Sequence, residues 1–150
     1  MNQHLPILIV EHHSDERGRI SDSFNSLQID NPLVFVSDSD AAFTYLHELS
    51  LSPFKKKRLP GLIFLDLQLE HDTSIDLLAG IKKDPAYCQV PVVVFSNSAD
   101  ANDIETCYSL GCNGYFQKPQ AEKGYNELIQ LVHDFWFNSM SLSNTKEFVL

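Results

Sequence analysis

The chain has 150 residues, an apolar fraction of 43% and a formal net charge of −9, which suits one domain with a single core and no second module. That acidic balance excludes a general binder of phosphate backbones, which depends on clustered Lys and Arg, and the basic run Lys55-Lys56-Lys57-Arg58, set between Pro53 and Pro60, reads as a solvated loop. Three cysteines with no zinc-like spacing, no apolar run near the roughly 20 residues of a membrane span and no basic leader at Met1-Asn2-Gln3-His4 point to free thiols in a reducing cytoplasm.

Along the chain, strand-like apolar runs alternate with segments of helical spacing, the βαβ pattern of a parallel sheet. A first strand is read at about 6–10, then a helix at about 15–27 in which Ile20, Phe24 and Leu27 recur at three- and four-residue steps, capped by Ser14. A strand at 33–36 precedes a helix opened by Ser37 or Asp38 and carrying Ala42, Tyr45 and Leu46 on one face. The third strand, 62–65, leads to a helix near 74–83 with Ile75, Leu78 and Ile81 inward, stopped before Asp84-Pro85. The fourth, 91–95, leads to a helix at about 100–110 with Ile104 and Cys107 or Tyr108 inward and Gly111 as its stop. The fifth, 114–117, precedes a last helix at about 121–137 with Leu128, Leu131, Val132 and Phe135 on a face. One domain is therefore expected over 5–138, with 139–150 a polar, Ser-rich C-terminal tail prone to fray.

Four of these strands run into a reactive side chain: Glu11-His12 after the first, Asp66 after the third, Ser96 after the fourth and Lys118 after the fifth. Ligands of open parallel sheets bind beyond the carboxyl ends of the strands, so these residues are expected at one rim. Ile7 to Glu11, Leu62-Ile63-Phe64-Leu65-Asp66, Val92 to Ser96 and Tyr115-Phe116-Gln117-Lys118-Pro119 together resemble the receiver domain of two-component response regulators, over about 5–137. Phe135-Trp136-Phe137 also resembles the small stand-alone receivers that serve bacteriophytochrome-type kinases.

The resemblance implies a flavodoxin-like, doubly wound α/β fold: a five-stranded parallel sheet of order 2-1-3-4-5 with five helices. It implies a signalling protein rather than an enzyme, one that assists only its own phosphotransfer and dephosphorylation. In that reading Asp66 is the phosphoacceptor, Ser96 and Lys118 bind phosphoryl oxygens, and Tyr115 is the aromatic switch. Pro119 would be a cis-proline that aims Lys118 inward. Mg²⁺ would be held by Glu11, Asp66 and the backbone carbonyl of Gln68. The implied partners are a sensor histidine kinase or phosphorelay protein and a downstream protein target, with no nucleic acid and no membrane. Trp136, with Phe135 and Phe137, would serve either a homodimer patch or closure of the last helix onto the sheet.

Two departures from the receiver pattern stand out. His12 occupies the place of an acid that normally touches the cation, and imidazole suits Zn, Cu, Ni or Fe better than hard Mg²⁺. Mg²⁺ affinity is expected to be weakened or its preference altered, with His12 itself a candidate ligand for a softer ion. Glu70 and Ser74 stand where the pattern usually has Pro and Gly. A pseudo-receiver, acting as a phosphorylation-independent interaction module, is therefore the alternative reading. A flavin carrier on the same fold is disfavoured because Glu11-His12-His13 replaces a phosphate-cradling loop.

Overall fold

A computed structural model describes residues 4–51, 59–67 and 74–139. The basic run at 55–58, Gln68, Glu70 and residues 140–150 lie outside them, as do the readings placed there. The described chain alternates β1 (Ile7–Val10), α1 (Ser14–Ser26), β2 (Leu33–Val36), α2 (Ser39–Leu51), β3 (Leu62–Asp66), α3 (Ser74–Lys83), β4 (Val92–Ser96), α4 (Ala101–Ser109), β5 (Gly114–Gln117) and α5 (Glu122–His133). A π-helical turn, Asp134–Ser139, continues α5. The strands form one parallel sheet in the order β2-β1-β3-β4-β5, the flavodoxin-like arrangement expected.

Strand alternation divides the core in two. Leu8, Val10, Ile63, Leu65, Val92 and Val94 face one side, under α2, α3 and α4 through Leu46, Leu77, Leu78, Ile81 and Cys107. Ile7, Ile9, Leu62, Phe64, Val93 and Phe95 face the other, under α1 and α5 through Ile20, Phe24, Tyr125, Ile129 and Val132. β1, β3 and β4 are buried throughout and β2 is half-buried. That difference is the one expected between inner strands and an edge.

Local chemistry sets the ends of the elements. Asp38 Oδ1 accepts from the Ala41 amide at 2.8 Å and Asp100 Oδ1 from the Asn102 amide at 2.7 Å, each relieving a helix-start donor. Gly111, at φ 104°, follows α4 as its left-handed stop. The cap expected at Ser14 is displaced by one residue: His13 has the extended conformation and no side-chain bond to the helix, so Ser14 is already helical.

The last helix departs most from expectation. Its buried stripe is Tyr125, Ile129 and Val132, while Leu131 and Phe135 are 61% and 50% exposed. The π-helical turn then rotates the chain so that the consecutive Trp136 and Phe137 both face inward. These two residues close the helix onto the sheet, and Phe137 meets Leu5 and Gly61 at the amino end of the strands. His133, stacked on Phe137 at 5.0 Å, shares a 2.8 Å hydrogen bond with Asn31, whose amide donates to the Leu5 carbonyl.

Candidate functional site

The parallel register brings the carboxyl ends of β1, β3, β4 and β5 to one rim, and Glu11, Asp66, Ser96 and Lys118 meet there. All four are buried. Their backbones are fixed by the sheet itself: the Glu11 amide donates to the Val36 carbonyl at 3.0 Å and the Lys118 amide to the Ser96 carbonyl at 2.7 Å. Lys118 Nζ lies 2.9 Å from Glu11 Oε1 and 3.3 Å from Asp66 Oδ1. One ammonium thus bridges two carboxylates whose sequence positions are far apart.

Electrostatics follow from that geometry. Burial works to raise the Glu11 pKa, but hydrogen bonding with the Asp66 side chain, the charge and hydrogen bond of Lys118 and the His13 amide together hold it below the ordinary carboxylate range. Burial works to lower Lys118, and the charges of Asp66 and Glu11 overcome it, raising the ammonium above its ordinary value. The pocket sets two acidic side chains against one ammonium, an environment that suits a cation.

The expected cis-proline is corrected. Among the described residues there is no cis peptide bond, so the Lys118–Pro119 bond is trans. A trans X–Pro bond is the intrinsically preferred form, and with it Lys118 is buried and ion-paired to Glu11 and Asp66.

The metal corner is also corrected at one residue. The described group able to hold an ion is Glu11, His13 and Asp66, with one ligand atom from each lying within 4.8 Å of the others. His12 is not in that group and packs its ring edge-on to His13 at 4.7 Å. Gln68, the expected carbonyl ligand, lies outside the described residues. Two carboxylates and an imidazole fit a divalent cation, and the nitrogen donor alters the preference from that of an all-oxygen site.

Ser96 and Tyr115 converge on Ser98. Ser96 Oγ accepts from the Ser98 amide at 3.0 Å, and the Tyr115 hydroxyl donates to the Ser98 carbonyl at 2.7 Å. The Ser98 hydroxyl donates to Asp103 Oδ2 at 2.7 Å, joining the loop to α4. A movement of Ser96 towards a ligand on Asp66 would therefore break a bond to the residue that anchors Tyr115.

Sequence reasoning missed several members of this site. The cleft over Asp66 and Lys118 is lined not only by His13, which the sequence set beside His12, but also by Asp15, Glu16 and Asn97. Glu16 accepts a hydrogen bond from the buried Tyr125 hydroxyl of α5, over whose ring the Arg19 guanidinium lies at 5.2 Å. Ser74 Oγ donates to the Asp66 carbonyl at 2.6 Å, tying the end of β3 to the start of α3. A turn of helix after Glu11 could have placed Glu16 at the rim; nothing in the one-dimensional pattern pointed to Tyr125 as its partner.

On the flank of the sheet, Tyr108, Phe116, Leu131 and Phe135 line an apolar groove between α4, β5 and α5. Tyr108 is 51% exposed, so Cys107 is the inward residue of α4.

Comparison with known proteins points one way. The family model of the response regulator receiver domain matches residues 7–132. The response regulator Rcp1 of Synechocystis sp. is 29% identical over 136 residues, covering 91% of each chain. The structure of a phosphorylated cyanobacterial phytochrome response regulator, RcpA, superposes with a TM-score of 0.83 at 28% identity, covering 93% of this chain and 99% of that one. The Mn²⁺-bound form of Rcp1 gives a TM-score of 0.79 at 30% identity, over 92% and 98%.

Proposed function

Because the chain belongs to the response regulator receiver family, we propose that Asp66 is its phosphoacceptor and that Lys118 and Ser96 receive the phosphoryl oxygens. A receiver accepts a phosphoryl group and passes the signal on through a changed surface; it is a signalling module rather than a classical enzyme. The observation that carries the residue assignment is the Lys118 ammonium 3.3 Å from Asp66 in a buried pocket.

The chemistry is a phosphoryl transfer. A carboxylate oxygen of Asp66 forms the new P–O bond as the P–N bond of a phosphohistidine on the partner breaks, and the departing imidazole retains the electron pair and takes up a proton. Charge spreads over the phosphoryl oxygens in the transition state, so fixed positive charge and donors beside them accelerate the step. Lys118 supplies the charge. Ser96 supplies a hydroxyl once its Oγ leaves the Ser98 amide. Glu11, Asp66 and His13 would hold the divalent cation, which neutralises the incoming phosphoryl group when bound.

The signal then leaves through the face of α4, β5 and α5. Loss of the Ser96–Ser98 contact loosens the carbonyl that holds Tyr115, and the tyrosine turns with it. Phosphorylation shifts that equilibrium only by its differential contacts in the two states. Exposed Tyr108, Leu131 and Phe135 make this face apolar enough to dock a target protein or a second copy of the chain. The partner on the input side is a histidine kinase or phosphorelay protein, and likeness to RcpA favours a phytochrome-type kinase. The receiver unit spans 5–138.

Intact-mass measurement after incubation with acetyl phosphate, with Mg²⁺, Mn²⁺ or chelator, tests this reading. A metal-dependent gain of one phosphoryl group is expected, absent in Asp66→Asn. No gain under any condition would overturn it in favour of the pseudo-receiver.

A further inference from the structure

The metal corner sets two acids against one ammonium and adds an unusual donor. Glu11 and Asp66 are 1% and 4% exposed and share Lys118, so two acidic side chains face one ammonium in a buried pocket. Glu11 divides its oxygens: Oε1 faces Lys118, while Oε2 lies 3.5 Å from His13 Nδ1 and accepts from the His13 amide at 3.2 Å. The imidazole is carried by the residue just before α1, with the side chain 60% exposed towards the cleft that Asp66 and Lys118 line. Glu11 and His13, from the connection between β1 and α1, and Asp66, from the end of β3, therefore face one volume.

We infer that this pocket takes a borderline transition-metal ion of the Zn²⁺, Co²⁺ or Ni²⁺ class, with His13 Nδ1 as a third protein ligand beside Glu11 and Asp66. The inference deepens the receiver reading and rests on it for the role of the pocket, but it concerns a ligand and an ion class of this chain's own. Carboxylate oxygen and imidazole nitrogen are both ordinary ligands of Zn²⁺, with nitrogen bound at about 2.0–2.1 Å, and imidazole suits Ni²⁺ as well. Mg²⁺ demands near-octahedral oxygen ligands and gains little from an imidazole. The separation of 4.8 Å or less among the three donors requires only a modest closure of the exposed His13 side chain to reach bonding distance. His12 lies outside the donor group, so the nitrogen comes from the second histidine and not the first.

Divalent zinc and nickel outcompete Mg²⁺ at most sites of this kind, so the discriminating quantity is the loss on removing the imidazole. Full-length protein stripped with chelator is titrated calorimetrically with Ni²⁺, Co²⁺, Zn²⁺ and Mg²⁺, as wild type, His13→Ser and His12→Ala. Serine is a good helix cap, so His13→Ser keeps the start of α1. Removing the imidazole is expected to weaken Ni²⁺ and Co²⁺ by about tenfold or more and to leave Mg²⁺ within about threefold. His12→Ala is expected to leave all four ions near wild type. Zn²⁺ is also expected to shift one histidine Nδ1 resonance in ¹⁵N spectra, a signal absent from His13→Ser. Equal losses for Ni²⁺ and Mg²⁺, no loss in His13→Ser, or a loss confined to His12→Ala would each overturn the inference. Phosphoryl uptake at Asp66 with Mg²⁺, measured separately, distinguishes these failures from failure of the receiver reading itself.

Discussion

Replacing Lys118 by Met keeps the apolar stem and removes the ammonium that lies 2.9 Å from Glu11 and 3.3 Å from Asp66. Breaking a buried ion pair on one side costs about 3–5 kcal/mol, because the remaining charge is stranded. Here the loss has an upper limit set by an escape route: one of the two carboxylates can take up a proton. For a carboxyl with the ordinary value of 4.5, that costs at pH 7 about 1.4 kcal/mol for each of the 2.5 pH units above it, or about 3.5 kcal/mol. The folded variant then binds a proton that the unfolded chain does not, so its stability falls as pH rises by about 1.4 kcal/mol per unit. Relative to wild type the deficit is expected to be about 3.5 kcal/mol at pH 7, about 2 at pH 6 and under about 1 at pH 5. Urea unfolding in chelator, followed by the fluorescence of the single tryptophan, Trp136, measures it directly. A deficit that is constant between pH 5 and 7, or below about 1 kcal/mol at pH 7, refutes the buried bridge.

Three further outcomes are expected. Gly61→Ala would put a methyl 2.7 Å from Phe137 Cε1 and 3.0 Å from Leu5 Cβ, costing about 1–3 kcal/mol and red-shifting Trp136 emission; unchanged stability and emission would show that the π-helical turn is not docked there. His133 is held below its ordinary value by burial, against the charges of Asp134 and Asp30, so the unfolded chain binds the extra proton and stability falls as pH drops from about 6.5. That acid component should vanish in His133→Phe, and its persistence in urea titrations at pH 5 to 7 would assign it elsewhere. Burial pushes the Cys107 thiol up to about 11 and also raises Cys112, so an aromatic disulfide reagent should label Cys88 promptly and the other two only in denaturant; fast labelling of Cys107 would contradict the packing under α4.

Much of the fold was legible because its strands are apolar runs with polar ends. Leu33–Val36 and Gly114–Gln117 fall where the pattern placed them, and Asp84-Pro85 and Gly111 stop α3 and α4 by chain geometry alone. The last helix was less legible because an inward stripe and an exposed apolar stripe look alike in a sequence. Leu131 and Phe135 share the helical period with buried neighbours, and the π-helical turn that brings Trp136 and Phe137 in together has no residue signature of its own. At the site, the strand ends announced Glu11, Asp66, Ser96 and Lys118, since sheet register converts sequence position into place. The distinction between His12 and His13 depends on how the backbone leaves β1 for α1, which adjacent identical residues do not encode. Glu16 and Tyr125 meet across the α1–α5 packing, a long-range contact with no local trace.

The bridge at the rim joins residues 107 positions apart, and this has a consequence for biosynthesis. Chains emerge amino end first, so β1 and β3 can pair on a ribosome while the lysine between their carboxylates is still inside the exit tunnel. A nascent chain at that stage has two acids at the rim without the ammonium that bridges them in the finished protein. The last strand to be made therefore completes both the sheet and the pocket. A chain that stops before Lys118 would lack the ammonium that bridges Glu11 and Asp66 and so would leave the rim incomplete.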